Sequence, residues 1–423
     1  MDRGTIGGTT MRLGVTGPEE RGRRTTALLV GITVAAGSGT AGCSSDAGPA
    51  MAGSDAVALA VSPVAGQAAA RPETPIAVQA RRGTVENVTV LTKGTAVEGA
   101  LSADRSEWRS RWTLQPGTEY TVVATALGRD GRTRTVTSRF TTAKARRTAE
   151  VAVEAPYDKE TVGVGMPIIL QFPRKITDRA AVERALEVRS SKPVEGAWHW
   201  FDDQNVVFRT KEHWPSHTDV TFNAHLSGVA VAKDTYGRNA SLRFRIGDAH
   251  STKASEDGHH MVVRKNGRVV KKMPISMGRG DVRKYTTTNG NHLTMDKGSP
   301  VIMDSSTVGC GPGCAGYYRL TVYSAVRISN SGEYVHAAPW SVGSQGNSNV
   351  SHGCINASPS NARWFYDFSY RGDPFKVTGT DRELEPLNGW GYWQLSWQEW
   401  VKGSALKQAL RVGPEGGVPA PTA

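Results

Sequence analysis

The chain has 423 residues, a net charge of +12, 38% hydrophobic residues and only four cysteines. That length holds two to four domains, each with ample core, and four cysteines are too few for a disulfide scaffold. With 47 Gly and 21 Pro, the composition suits a turn-rich, mainly β protein better than a helical bundle or a polytopic membrane protein.

Arg21, Arg23 and Arg24 precede an apolar run from Ala27 to Ala36, and Thr40-Ala41-Gly42-Cys43 follows. A basic stretch before about ten apolar residues is an export signal, since a spanning helix takes about twenty. The small residues leading into Cys43 resemble a bacterial lipobox, whose cysteine becomes the lipidated first residue, although Thr40 stands where Leu is usual. Residues 1–43 are therefore expected to be a signal peptide with lipobox; an ordinary secretory signal is the alternative, and Met11 is a second candidate start. Residues 44–74, rich in Ala, Gly, Ser and Pro, are expected to be a flexible tether. The chain is thus expected outside the cytoplasm, lipid-anchored on the cell membrane and facing the wall. The basic excess fits an anionic envelope or plain solubility, and nothing resembles a nucleic-acid motif.

Between Pro75 and Ala143 short alternating stretches such as Thr121-Val122-Val123-Ala124 are separated by turn signals such as Gly128-Arg129-Asp130-Gly131. Period-2 strands at this spacing predict a small antiparallel sandwich. The phrase Leu114-Gln115-Pro116-Gly117-Thr118-Glu119-Tyr120 resembles the turn into a late strand of immunoglobulin-like folds. A second unit of similar size closes with Leu242-Arg243-Phe244-Arg245-Ile246, so tandem immunoglobulin-like modules are expected over 75–147 and 148–249, acting as spacers. Within the second, residues 177–187 predict one short helix with a partial capping box from Thr177.

From His250 the pattern changes. Asn266-Gly267 joins two short strands as a hairpin turn, and Pro359 to Asp367 reads as a capped helix start with an aromatic face. The segment that carries chemistry is His336-Ala-Ala-Pro-Trp340, a loop rich in Gly, Ser and Asn, then Ser351-His352-Gly353-Cys354-Ile355-Asn356. A cysteine among Gly and polar residues on a loop is poor core design but good access for a nucleophile. Nucleophilic attack needs the thiolate, so the thiol pKa of about 8.5 must be lowered by a base or a positive dipole. His336 and His352 are available for that. Gly353 would let backbone N–H groups approach a reacting carbonyl, where a side chain would obstruct it.

His336, fourteen residues, then Ser-His-Gly-Cys-Ile-Asn resembles the signature of L,D-transpeptidases with a YkuD-type catalytic domain, of the actinobacterial type with tandem immunoglobulin-like modules. The resemblance spans about residues 75 to 405 and places the catalytic domain at 250–380. It implies that Cys354 is the nucleophile, His336 its base, and His352 an orienting group, with the carbonyl of Ala337 fixing the His336 tautomer. Cys354 would attack the L-centred carbonyl of the third residue of a peptidoglycan tetrapeptide, release D-alanine, and pass the acyl group to a diaminopimelate amine as a 3→3 crosslink. Backbone N–H groups around Gly353 and Cys354 would hold the oxyanion, each worth about 3 kcal/mol. Carbapenem-type β-lactams are the inhibitors the resemblance implies. It further implies a donor pocket of Met303, Tyr318, Ser331, Gly332, Trp340, Ser351 and Asn356, with Tyr317 beside Tyr318 leaving a slip of one open, and a lid from about Pro300 to Thr321.

That lid contains Cys310-Gly-Pro-Gly-Cys314. In an exported chain two close cysteines are expected to form a disulfide that stiffens it, stabilising by at most about 2 kcal/mol; a zinc site with Cys354 and a histidine is the rival. No cluster demands a metal, and no cofactor is implied. Trp390, Trp393, Trp397 and Trp400 fall on one face of a helix. They are read as packing of a C-terminal subdomain, 381–412, rather than as a sugar-stacking surface, with 413–423 a disordered tail. Two other readings of the whole chain stay open: an L,D-carboxypeptidase with the same nucleophile, and a non-catalytic wall-binding lipoprotein.

Overall fold

In the computed structural model residues 56–420 are described; the expected signal peptide, Cys43 and the start of the tether lie outside them. The chain is mainly β, 45% strand and 9% helix. Strand begins earlier than the composition suggested. Ala58–Ser62 pairs antiparallel with Ala77–Arg81, and Val57, Ala70 and Ile76 are buried in the core of the first sandwich. Residues 57–74, expected to be tether, therefore belong to the first module. Alternation in Val57-Ala-Leu59-Ala-Val61 is the signal that the Ala-rich composition masked.

The first sandwich faces a sheet built on Ala77–Arg81 and Glu107–Ser110 against one built on Gly83–Thr92, Glu119–Gly128 and Thr133–Thr141. Trp108, Tyr120, Val122 and Phe140 fill the space between them. The Tyr120 hydroxyl accepts the Gln115 N–H at 2.7 Å, the back-bonded tyrosine that stabilises such corners. The second sandwich has Trp198, Phe208, Trp214 and Phe222 at its centre. Its short helix runs Arg179–Arg184, and the cap is Asp178, whose Oδ1 accepts the Ala181 N–H at 2.8 Å, not Thr177.

The C-terminus also departs from expectation. Leu410–Gly413 pairs with Val194–Trp200, and Gly416–Pro419 folds back on it. Residues 413–419 therefore finish a sheet of the second module instead of forming a disordered tail; Val412 is fully buried there. The four tryptophans do not share one helix either. Trp397–Lys402 is helical, with a capping box from Ser396 and Glu399, and Trp393 sits in a separate 3-10 turn. Packing is nevertheless their role: Trp390 and Trp400 are buried and the other two lie partly buried against the same core.

The catalytic unit begins at His250. One sheet runs in the order Arg268–Pro274, His260–Lys265, His250–Ser255, Pro374–Thr378, Gly290–Leu293. Asn266 and Gly267, with φ of 50° and 81°, make the hairpin turn. The second sheet centres on Arg319–Arg327, Tyr334–Ala337 and Ile355–Ala357, with Val301–Asp304 paired to the first of these. Met261, Met273, Ile275, Val335, Ile355 and Phe375 are buried between the sheets. The helix Pro359–Phe368 closes that core with Phe365, after Ser358 caps it by accepting the Asn361 N–H. Among the described residues no helix is long and apolar enough to cross a membrane.

Candidate active site

Two neighbouring strands bring the key residues together. Tyr334–Ala337 and Ile355–Ala357 run parallel with His336 opposite Asn356, so alternation points residues 336, 354 and 356 to one face. The loop before them is stitched in place by hydroxyls. Ser351 Oγ donates to the Cys354 carbonyl at 2.5 Å and accepts the Gly353 N–H at 3.1 Å. Thr287 Oγ1 donates to the Gly353 carbonyl at 2.8 Å and accepts the Gly278 N–H at 2.9 Å.

Met303, Tyr318, His336, Trp340, Ser351, His352, Cys354 and Asn356 line one cleft, together with Leu320, Val322 and Val350. Ser331 and Gly353 line an adjoining pocket that shares Tyr318 and His352 with the cleft. Gly332 meets the sulfur through its carbonyl, which lies 3.5 Å from Cys354 Sγ, and Met303 Sδ lies 3.9 Å away. Tyr318 is the half-buried one of the tyrosine pair and lines the cleft, whereas Tyr317 is exposed. Tyr318 is pushed up to about 12 by burial, and the neighbouring Cys354 adds to this.

His336 is buried and its Nδ1–H donates to the Ala337 carbonyl at 3.0 Å, leaving Nε2 as the acceptor. Burial lowers its pKa, opposed by the Ala337 carbonyl and by Asn356. Asn356 is itself held by donation to Ser341 Oγ at 3.0 Å. Cys354 is the free cysteine of the described chain. Contrary to the expected lowered value, burial pushes its thiol up to about 12; the Tyr334 N–H lowers it somewhat and the Glu333 carboxylate raises it. Burial disfavours both the thiolate and the imidazolium.

His352 is exposed, edge-on to Tyr285 with ring centroids 4.2 Å apart. Its pKa is lowered by partial burial and by the Arg279 and Lys284 charges. Trp340 is 56% exposed and leans toward His336, centroids 6.0 Å apart, as a rim that a bound peptide would cover.

The two amides expected to hold an oxyanion differ in their partners. The Gly353 N–H is already given to Ser351 Oγ, whereas among the described residues the Cys354 N–H has no acceptor. Nor does Gly353 owe its place to crowding: a Cβ there would meet nothing nearer than Glu333 Cγ at 3.7 Å. Its φ of 120° excludes other residues. Gly353→Ala is therefore expected to slow acylation of the thiol at least about tenfold by tilting the Cys354 amide. Stopped-flow acylation by a β-lactam would measure it, and an unchanged rate would contradict this account of the turn.

In the loop expected to be a lid, Cys310 and Cys314 are joined as a disulfide. Ser305 ties that loop to the cleft: its Oγ donates to the Cys310 carbonyl at 2.8 Å and accepts the Tyr318 N–H at 2.9 Å. Ser305, Tyr285, Thr287 and Glu333 were not singled out from the sequence. Glu333 follows the polar run Ser329-Asn330-Ser331-Gly332, and nothing in the order of residues marks it.

A family model described as a bacterial Ig domain matches residues 67–230, and one described as an L,D-transpeptidase catalytic domain matches residues 253–377. The sequence is 38% identical over 336 residues to L,D-transpeptidase 2 of Mycobacterium tuberculosis, covering 79% of this chain and 81% of that one. It is also 38% identical over 343 residues to L,D-transpeptidase 5 of the same species, covering 79% and 74%. Among solved structures, an L,D-transpeptidase in complex with imipenem shares 37% identity over 54% of this chain and 99% of that chain, at a TM-score of 0.47.

Proposed function

The chain belongs to the L,D-transpeptidases with a YkuD catalytic domain, and from that premise we propose that it is an exported, lipid-anchored enzyme making 3→3 crosslinks in peptidoglycan through a thioester on Cys354. The observation that carries this reading is the placement of one free thiol and one buried, tautomer-fixed imidazole in a single cleft. Cys354 Sγ bonds to the L-centred carbonyl carbon of the third stem residue while His336 Nε2 takes the thiol proton. The oxyanion so formed is held by the Cys354 N–H, a donor worth about 3 kcal/mol. Collapse breaks the bond to D-alanine, whose amine leaves with the proton from His336. A neutral diaminopimelate amine then attacks the thioester, gives a proton to His336, and releases the thiolate, which recovers it.

The same sulfur would open a carbapenem ring, and since nothing leaves, the adduct would weigh the protein plus the whole drug. The two immunoglobulin-like modules would carry the cleft away from the membrane, with Cys43 as the anchor.

The test is mass spectrometry in two parts. Incubation with a carbapenem is expected to add one drug mass, on the peptide containing Cys354. Incubation with tetrapeptide stems is expected to yield crosslinked dimer and free D-alanine. Tripeptide alone would instead identify an L,D-carboxypeptidase, and no adduct or product of any kind would leave a wall-binding module.

A further inference from the structure

The sheet that opens the catalytic unit has one face that the proposed chemistry leaves unused. In its strands Met261, Val263, Met273, Phe375 and Val377 point into the core, so the residues alternating with them point out. Those outward positions fall into register. Val262 lies opposite Lys272 on one side and Lys253 on the other, and Lys253 lies opposite Lys376. Lys272, Lys253 and Lys376 therefore form one row across four strands, about 14 Å long at the usual strand spacing. All three are exposed, and Arg264 stands on the same face, two residues along the strand from Val262. Among the described residues none of these four cations pairs with a carboxylate, whereas Lys265, beside the same hairpin turn, is paired with Asp248 at 2.8 Å.

Like charges facing each other across neighbouring strands cost stability, and an anionic partner would offset that cost. What borders the row sets the partner's shape. Glu256 and Asp257 follow Ser255 at the end of the strand that carries Lys253, and the Asp257 and Asp381 charges both act on Glu256. Glu256 lies three residues, about 10 Å, from Lys253. A broad anionic plane such as a lipid surface would press on those carboxylates as well as on the lysines. A single chain running across the strands would meet the cations alone. We propose that Lys272, Lys253, Lys376 and Arg264 form a docking strip for a linear polyanion of the cell wall, a polymer with phosphodiester or carboxylate groups on successive units. This goes beyond the stem-peptide chemistry but rests on the exported location proposed above. None of the four lines the cleft, so the strip would concentrate the enzyme on an insoluble network without entering the reaction.

The test uses the full chain and two probes: linear polyphosphate coupled to beads, and vesicles of phosphatidylglycerol in phosphatidylcholine. A strip variant carries Lys253→Gln, Lys272→Gln, Lys376→Gln and Arg264→Gln. A control removes the same charge elsewhere, through Arg129→Gln, Arg132→Gln, Arg174→Gln and Lys175→Gln, all at exposed positions. Each arm reads the difference from wild type, so retention through the N-terminus cancels. The strip variant is expected to bind polyphosphate at least about tenfold more weakly, with a log Kd against log salt slope smaller by about 3, as for four lost contacts to a flexible charged chain. The control is expected to stay within about twofold of wild type, because distant surface charges are screened. Should the fourfold change impair folding, Lys253→Gln and Lys376→Gln are each expected to remove about 0.7 of the slope. Equal losses in strip variant and control would reduce the effect to net charge and overturn the strip. A loss confined to vesicles would overturn it too, making the face a membrane contact. Carbapenem acylation of the strip variant is expected at the wild-type rate, so polymer binding that fails while the adduct forms sinks the strip and leaves the transpeptidase reading standing.

Discussion

Cys354→Ala is expected to abolish crosslinking and carbapenem adduct formation while leaving the fold intact. In the proposed mechanism acyl transfer passes through a covalent bond to one atom, and no other free thiol stands among the described residues. Removing a nucleophile of this kind costs about four orders of magnitude or more in rate. The structural cost is small. The half-buried side chain gives up a contact with Met303 at 3.9 Å and a weak one with the Gly332 carbonyl at 3.5 Å, and such losses stay near about 1 kcal/mol. Unchanged circular dichroism with no adduct in the mass spectrum is the result that fits. Dimer formation by the alanine variant would sink the nucleophile assignment.

The pH dependence expected of the proposed chemistry follows from the burial of both groups. His336 accepts a proton only while unprotonated, and burial moves its pKa below the usual 6.5. Acylation is therefore expected to be constant through neutral pH and to fall as pH drops through that lowered value, because the imidazolium formed there cannot serve as base. The thiol sits near 12, so alkylation by a small neutral reagent should be slow at pH 7 and accelerate toward high pH. A pre-formed thiolate–imidazolium pair would do the opposite, alkylating fast down to acid pH. Rate profiles for the two reagents distinguish these states.

What the sequence made legible was local. The spacing from His336 to Cys354, the Asn266-Gly267 hairpin and the proline-initiated helix at 359 all follow from residues close in the chain; the hairpin and the helix form, and His336 and Cys354 line one cleft. What it hid depends on partners far away. The strand at Ala58–Ser62 reads as Ala-rich linker until Ala77–Arg81 is set beside it. Leu410–Gly413 reads as a tail until it meets Val194–Trp200, more than two hundred residues upstream. The site shows the same division. The motif identifies the sulfur and the imidazole, but the thiol's raised pKa arises from burial by surrounding residues and from the charge of Glu333. Occupation of the Gly353 amide by Ser351 is a matter of rotamer, invisible in the order of residues.

Trp400→Ala is expected to be the most damaging change outside the cleft, for reasons that lie between the C-terminal segment and the second module. Trp400 is fully buried, donates Nε1–H to the Ala197 carbonyl at 2.9 Å, and stacks on His199 with centroids 4.6 Å apart. Arg209 lies over it at 4.7 Å and also faces Trp393 and Trp397 at 5.1 and 5.4 Å. Burial holds that guanidinium down to about 10, opposed by the Glu212 charge; its Nη2 donates to the Leu395 carbonyl at 2.9 Å and its Nη1 to the Thr210 carbonyl at 3.4 Å, and the three indole faces add cation–π contacts. Truncating Trp400 removes the nearest of those faces and opens a cavity, together costing about 3–5 kcal/mol. That corresponds to an unfolding midpoint lower by about 10 °C for a unit of this size. Trp393→Ala, at a partly exposed position, should cost less than half as much. Carbapenem acylation of the protein that remains folded should be unchanged, because none of these residues lines the cleft. A midpoint shift in Trp400→Ala no larger than in Trp393→Ala would show that the C-terminal segment is held by its strand pairing at Leu410–Gly413 and not by the indole cage around Arg209.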